Sequence, residues 1–426
     1  MNKIIISPFL LFSAMLLNLP NTGCKSQDNT INILVVWGGE ELESFKAMIK
    51  PFEDSTGFKV NIEATRDINA VLVTRLEAGN PPDMANLPNP GVLKEFAREK
   101  KILPIDEFVD TNKLKQEYGR YWVELGSYEG RLYGIFIKVS LKSLIWYSPE
   151  NLANFCNEIP KTWDELMLLT EKISEAGKTP WSIGLESGSA SGWPGTDWIE
   201  DILLRSAGEE VYDKWIEHEI SWLHPAVKNA WQIFGEIVHN KKFLYGGTTG
   251  TIATNFGDGI YPLFILPPEA YLHHQAIFIQ GFIHTRFPNL IPQRDFSFFS
   301  FPPIKSDGPN PMIVAADLFV VFKDKKPIQA LINYLASAES QAIWVKRGGA
   351  IAPNKEVSLE SYPDELSKKA ATILSQTQIF RFDASDMMPA SVNEAFCKGV
   401  IDYLAGKDLD EILKQIERVA VESYGR

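Results

Sequence analysis

The segment Ile31-Asn32-Ile33-Leu34-Val35-Val36-Trp37 reads as a buried strand closed by Gly38-Gly39, and a helix and a second strand follow it directly. Leu42, Phe45, Met48, Ile49 and Phe52 recur at helical spacing on one face. Glu40, Glu41 and Glu43 fall in the first turn, where the helix dipole favours acids. Pro51 is expected to kink or shorten this helix near its end, and Ser55-Thr56-Gly57 to close it. Phe58 to Ile62 supplies the second strand. Strands joined through one helix pair in parallel, which commits the chain to an α/β layer.

The alternation continues. Ala70 to Ala78 is helical, Gly79-Asn80-Pro81-Pro82-Asp83 is a turn, and Met84 to Leu87 is a short strand running into Pro88-Asn89-Pro90-Gly91. Leu132 to Ile137 and Leu144 to Tyr147 are further strands. Ile328, Leu331, Ile332 and Leu335 make one helical face, and Leu409, Ile412, Leu413 and Ile416 another. At 426 residues, 45% of them hydrophobic, the chain is too long for one ordinary core. No Gly/Ser-rich linker or internal repeat divides it, so the pattern predicts two lobes joined by several short crossovers.

The N-terminus is a separate object. Lys3 precedes the apolar run Ile4 to Leu17, which has the length of a signal-peptide core. Asn21-Thr22-Gly23-Cys24 then resembles a bacterial lipobox, which implies cleavage before Cys24 and lipid on its sulfur. Asn21 departs from the aliphatic residue of that pattern and leaves ordinary cleavage near Gly23 open. Of the other cysteines, Cys156 and Cys397 are either small buried hydrophobes or one long-range disulfide. No later segment is long and apolar enough to span a membrane. A net charge of -12 without a basic cluster argues against nucleic acid as a partner.

An ordered series of motifs resembles the extracellular solute-binding proteins (family 1) of carbohydrate ABC transporters. Phe52-Glu53-Asp54-Ser55-Thr56-Gly57-Phe58-Lys59-Val60 is similar to their helix-to-strand segment, and Gly79-Asn80-Pro81-Pro82-Asp83 and Leu103-Pro104-Ile105-Asp106 to turns that follow. Gly130-Arg131-Leu132-Tyr133-Gly134-Ile135, Ile145-Trp146-Tyr147-Ser148 and Pro160-Lys161-Thr162-Trp163-Asp164-Glu165-Leu166 continue it. Gly192-Trp193-Pro194-Gly195-Thr196-Asp197-Trp198, Tyr212-Asp213-Lys214-Trp215 and Arg381-Phe382-Asp383-Ala384-Ser385-Asp386-Met387-Met388-Pro389 resemble members for α-glucosides and glucoside osmolytes. The resemblance implies an α/β, two-lobed periplasmic-binding-protein (Venus flytrap) fold. With the coarse pattern it divides the chain into a signal peptide (1–23), a lipid-attachment cysteine and tether (24–30), an N-terminal lobe (31–143 plus 313–356) and a C-terminal lobe (144–312 plus 357–426). It further implies a monomer held to the membrane by its lipid alone, a small neutral glycoside ligand such as glucosylglycerol, trehalose or sucrose, and the permease subunits of an importer as partners.

A neutral sugar offers apolar C–H faces to aromatic rings and hydroxyls to carboxylates, amides and arginine. In an α/β lobe the ligand loops lie beyond the carboxyl ends of the strands. Trp37 and Glu40 occupy that place after the first strand, with core packing and the helix dipole as their plainer roles. Trp193, Asp197 and Trp198 offer two aromatic plates and an acceptor in a Gly/Pro loop, or else a buried hinge with a helix cap. Arg381, Asp383 and Asp386 lie in a polar segment between helices and serve either hydroxyl recognition or an inter-lobe ion pair. Asp317 is a loop acceptor or a strand-end cap, and Tyr147 stands at a strand end as ligand contact or core. Gly246-Gly247-Thr248 is a candidate close-approach turn.

No catalytic residue, metal or cofactor is expected. His273-His274 point apart on a helix or strand, and no further His or Cys completes a ligand set. Neither a G-x-S-x-G elbow nor an H-E-x-x-H pair occurs. A secreted glycoside hydrolase and a structural or sensory lipoprotein are the rival readings.

Overall fold

The computed structural model describes residues 29–304 and 310–425. The signal peptide, Cys24 and most of the tether lie outside the described residues. Among the described residues no helix is long and apolar enough to cross a membrane.

The first unit forms as the pattern predicts. Strand β1 (Thr30–Val35), helix α1 (Gly39–Thr56) and strand β2 (Lys59–Ala64) follow in order, and β1 pairs with β2 in parallel, Ile33 opposite Ile62. Buried Phe45, Met48, Ile49 and Phe52 seat α1 on the sheet. Pro51 does not end the helix, which runs to Thr56 and closes on left-handed Gly57, whose N–H donates to the Glu53 carbonyl. A proline removes the bond its own N–H would have made and crowds the carbonyl four residues back, and the buried face on both sides of Pro51 holds the helix through that break.

Helix α2 (Ile68–Glu77), strand β3 (Met84–Leu87) and helix α3 (Pro90–Arg98) come next. Strand β4 (Gly134–Leu141) is followed after two residues by β5 (Leu144–Tyr147). Then come helix α4 (Trp193–Ala207), strand β6 (His273–His274), helix α5 (Ile279–Arg286), strand β7 (Ser297–Ser300) and strand β8 (Met312–Val321). Strand β9 (Phe380–Phe382), the short helix α6 (Ala384–Met387) and helix α7 (Ala390–Leu404) lie near the end.

Two sheets organise the molecule. In the larger, the order runs β9-β8-β3-β1-β2, with β4 also paired to β8. Strand β8 runs antiparallel to β3 and β4, with a bulge between Asp317 and Leu318, and parallel to β9. Asp317 therefore sits within a strand, not ahead of one as the sequence suggested. The smaller sheet is β6-β5-β7, all antiparallel.

Two hydrophobic cores result, and the smaller sheet lies between them. Successive side chains of a strand point to opposite faces. Leu144 and Trp146 of β5 and Phe298 of β7 accordingly enter the first core, while Ile145 and Phe299 enter the second. Among the described residues the chain passes between the cores at several points, among them β4 to β5, β7 to β8, and the segment around β9. Helix α3 meets the last of these so closely that a Cβ on Gly91 would stand 2.2 Å from the Met388 carbonyl oxygen. That close approach brings the N-terminus of α3 against α6.

Candidate functional site

The first sheet sends the loops beyond β1, β2 and β3 to one edge, and all three line a single cavity. Val36 and Trp37 follow β1, Arg66 and Asp67 follow β2, and Pro88 and Asn89 follow β3. This is the carboxyl-edge position where α/β sheets hold ligands. The opposite wall comes from Ser187, Ser189 and Ala190, from Trp193 at the start of α4, and from Phe256 and Phe278. Asp383, Ser385 and Asp386 with Asn393 of α7 form the floor beside Lys138, Ser140 and Lys142 of the β4 edge. The cavity holds about 240 Å³, just under the roughly 300–1,000 Å³ usual for small-molecule pockets.

The aromatic wall is continuous. Trp193 lies 5.3 Å from Phe256 and 6.1 Å from Phe278, centre to centre. Arg66, from the other side of the cavity mouth, stacks its guanidinium 4.8 Å above the Phe256 ring. Beside it the Asp67 carboxylate accepts from the Ser189 backbone N–H at 3.2 Å, and the Ser189 bonds hold its pKa below the ordinary value. Two contacts thus tie the mouth of the cavity across the two walls.

The floor is charged and paired. Lys142 Nζ lies 2.8 Å from Asp197 Oδ1, 2.5 Å from Asp383 Oδ2 and 4.8 Å from the centre of the Trp193 ring. Burial works against the Lys142 ammonium, but the Asp197 and Asp383 carboxylates outweigh it and raise its pKa well above the ordinary value. Buried Glu200 accepts the backbone N–H groups of Ala384 at 2.9 Å and Ser385 at 3.1 Å, which orients α6. Asn89, at the start of α3, donates its side-chain amide to Asp386. Burial, reinforced by the neighbouring acids, pushes the Asp197, Glu200 and Asp386 carboxyls well above the carboxylate range. Burial acts on Asp383 too, yet Lys142 and the Ser385 hydroxyl hold it below its ordinary value.

Asp197, Glu200 and Asp383 bring carboxylate oxygens within 4.8 Å of one another, a spacing that suits a cation. The positive charge at this point is the ammonium of Lys142, already in contact with two of the three.

Of the residues expected from the sequence, Trp37, Trp193, Asp317, Asp383 and Asp386 come together on the cavity wall, with Asp197 directly behind Lys142. The other four lie elsewhere. Trp198 is fully buried in the second core against Trp181 and His274. Tyr147 packs on Phe299. Exposed Glu40 faces Arg347 at 3.5 Å and does not line the cavity. Arg381 forks onto Asp213 at 2.7 and 3.0 Å and also meets Glu209, ion pairs that engage it away from the cavity lining. Trp193 to Trp198 form the opening of α4 instead of a loop. Gly192, at φ +111, leads into it, and Pro194 occupies the first turn, where a missing N–H costs nothing. Gly246 and Gly247 start a short helix away from the cavity. His273 and His274 are buried, bonded to the Ser182 carbonyl and to Asp201 respectively. Cys156 and Cys397 are free thiols, so the disulfide alternative falls away.

Sequence reasoning missed Lys138, Lys142, Asn89, Glu41, Arg66, Phe256 and Phe278. A signal for the lysines was present, since Gly134-Ile135-Phe136-Ile137-Lys138-Val139-Ser140-Leu141-Lys142 puts two charges into a strand run that is apolar apart from Ser140. A lysine in such a run is almost never buried without a partner.

The sequence pattern of the family described as bacterial extracellular solute-binding protein matches residues 38–342. The chain is 40% identical over 400 residues, 94% of each chain, to the osmoprotective compounds-binding protein GgtB of Synechocystis sp.. It is 36% identical over 408 residues to the alpha-glucosides-binding periplasmic protein AglE of Rhizobium meliloti, covering 93% of this chain and 88% of that one. Among solved structures, a chitin oligosaccharide binding protein superposes with a TM-score of 0.81 at 17% identity, covering 93% of this chain and 99% of that one.

Proposed function

Because this chain belongs to the bacterial extracellular solute-binding proteins, we propose that it captures a neutral α-glucoside or glucoside osmolyte for an ABC importer. The names of its two relatives, for osmoprotective compounds and for alpha-glucosides, point to that ligand class. The observation that carries the reading is the pairing of an aromatic wall with a floor of buried, mutually paired carboxylates, lysines and Asn89. Trp193, Phe256 and Phe278 supply flat apolar surface for sugar C–H faces, and the floor supplies acceptors and donors for hydroxyls.

The protein works by binding, without chemistry. A ligand that touches both walls stabilises the closed arrangement by its differential affinity, and the Asp67–Ser189 and Arg66–Phe256 contacts are made only when the walls meet. The closed form is what the permease subunits receive. The chain acts outside the cytoplasm as a monomer, held to the membrane by lipid on Cys24.

The test is titration of the chain from Lys25 onward with glucosylglycerol, trehalose, sucrose, maltose and glycerol, following tryptophan fluorescence and melting temperature. Saturable binding stabilises the native state by about 2.7 kcal/mol at a hundredfold excess over Kd. Binding of at least one glycoside without release of monosaccharide is the expected result. Monosaccharide release would mark a glycoside hydrolase, and no response to any of them would remove the glycoside assignment.

A further inference from the structure

The β4 edge carries a repeated arrangement. Side chains two residues apart share a face of a strand, and Lys138, Ser140 and Lys142 all line the cavity. The two lysines are four positions apart, about 13 Å along the chain at roughly 3.3 Å per residue. Each ammonium is held between two carboxylates and over indole. Lys142 has Asp197, Asp383 and Trp193. Lys138 has Glu41 and, at 3.2 Å, Asp317, with the Trp37 ring centre at 5.7 Å and that of Trp344 at 5.1 Å. The small side chains of Ser140, Ala315 and Ala316 line the floor along with Asp386, whose carboxyl feels both Lys142 and Asp317.

The two ends differ in one respect. Half-buried Trp193 opens a ring face to the cavity beside Phe256 and Phe278. Trp37 and Trp344 are each about 2% exposed, packed on each other and on Phe45 in the first core. The Lys142 end therefore suits a pyranose ring, which needs a stacking surface, and the Lys138 end offers hydrogen bonds alone.

We infer that Lys138, Glu41 and Asp317 form a second subsite that recognises the hydroxyls of the aglycone, so that the protein selects glycosides whose aglycone carries vicinal hydroxyls. The inference rests on the glycoside reading above. Glu41 and Asp317 each accept from one hydroxyl, and the Lys138 ammonium donates to a hydroxyl oxygen. An aglycone without hydroxyls would leave these desolvated charges facing an apolar group, and sites built to bond a hydroxyl reject analogues that lack it strongly.

Calorimetric titration of the chain from Lys25 onward with glucosylglycerol, trehalose and methyl α-glucoside tests it. Methyl α-glucoside keeps the sugar ring and replaces the aglycone by a methyl group. It should bind at least tenfold more weakly than the better of the other two. In Asp317→Asn and in Glu41→Gln, both conservative in size, that ratio should fall towards one. Equal affinity of the wild type for all three would overturn the inference, as would variants that weaken every ligand by the same factor. If no glycoside binds at all, the glycoside reading has failed and this inference falls with it, a result distinct from equal affinity.

Discussion

Lys142 Nζ stands 2.5 Å from Asp383 Oδ2, joining side chains 241 positions apart in the chain. The pair sits where β4 leaves the first core and the segment after β9 enters the second, so one buried cation holds two of the crossings together. Removing one partner of a buried pair is far more damaging than the pair is stabilising, because the other charge is left without compensation. Lys142→Met, which keeps the length and loses the charge, should cost about 3–5 kcal/mol in urea unfolding. The loss should be smaller at pH 5 than at pH 8, because the stranded carboxylates can take up protons. An unchanged midpoint would show that the pair holds nothing together.

Burial drives the His273 imidazole down to about 4 from an ordinary 6.5. Between those values the unfolded chain binds more protons than the folded one, so this group makes stability rise with pH. Its contribution is fully present above pH 6.5 and lost as the pH falls towards 4. The raised carboxyls of Asp197, Glu200 and Asp386 act in the opposite sense, holding protons in the folded state that the unfolded chain has released. The informative quantity is therefore the difference from His273→Asn, whose amide can still donate to the Ser182 carbonyl. The variant should lose less stability than the wild type between pH 6.5 and 4.5, and parallel profiles would exclude His273 as the cause.

Trp193 and Trp198 begin the same helix and should behave differently. Trp193→Ala removes the open ring at the cavity and should weaken glycoside binding tenfold or more, read by calorimetry. Trp198→Ala empties a site in the second core and should cost about 3–5 kcal/mol of stability. A variant of Trp193 with full affinity would take the aromatic wall out of the binding account.

The tie between Asp67 and Ser189 gives a test of closure itself. Asp67 is exposed, so Asp67→Ala should leave unfolding stability within about 0.5 kcal/mol of wild type. Ligand affinity should still fall severalfold, because the closed arrangement has lost one of its contacts. Unchanged affinity would mean that the contact adds nothing to closure.

Local pattern carried much of the architecture. Met84–Leu87 and Leu144–Tyr147 were legible to the residue because short apolar runs bounded by turn residues leave few alternatives. It carried less where one residue type has two local meanings. The Gly-Trp-Pro-Gly sequence from Gly192 reads as a loop, yet a glycine before a helix and a proline in its first turn are also start signals. Pro51 reads as a kink or an early end, and only the packing of Phe45, Met48 and Phe52 shows why the helix continues past it.

The sequence by itself determined the parallel α/β layer, the family and a set of acids and aromatic residues near the binding region, because these depend on spacing within a few residues. Tertiary structure alone decided which acids face the cavity, which two lysines compensate them, and which of the tryptophans keeps an open face. Those outcomes rest on contacts between residues 55, 97, 241 and 297 positions apart. The cost of burying a charge is set by the partner that folding brings to it, and no local pattern names that partner.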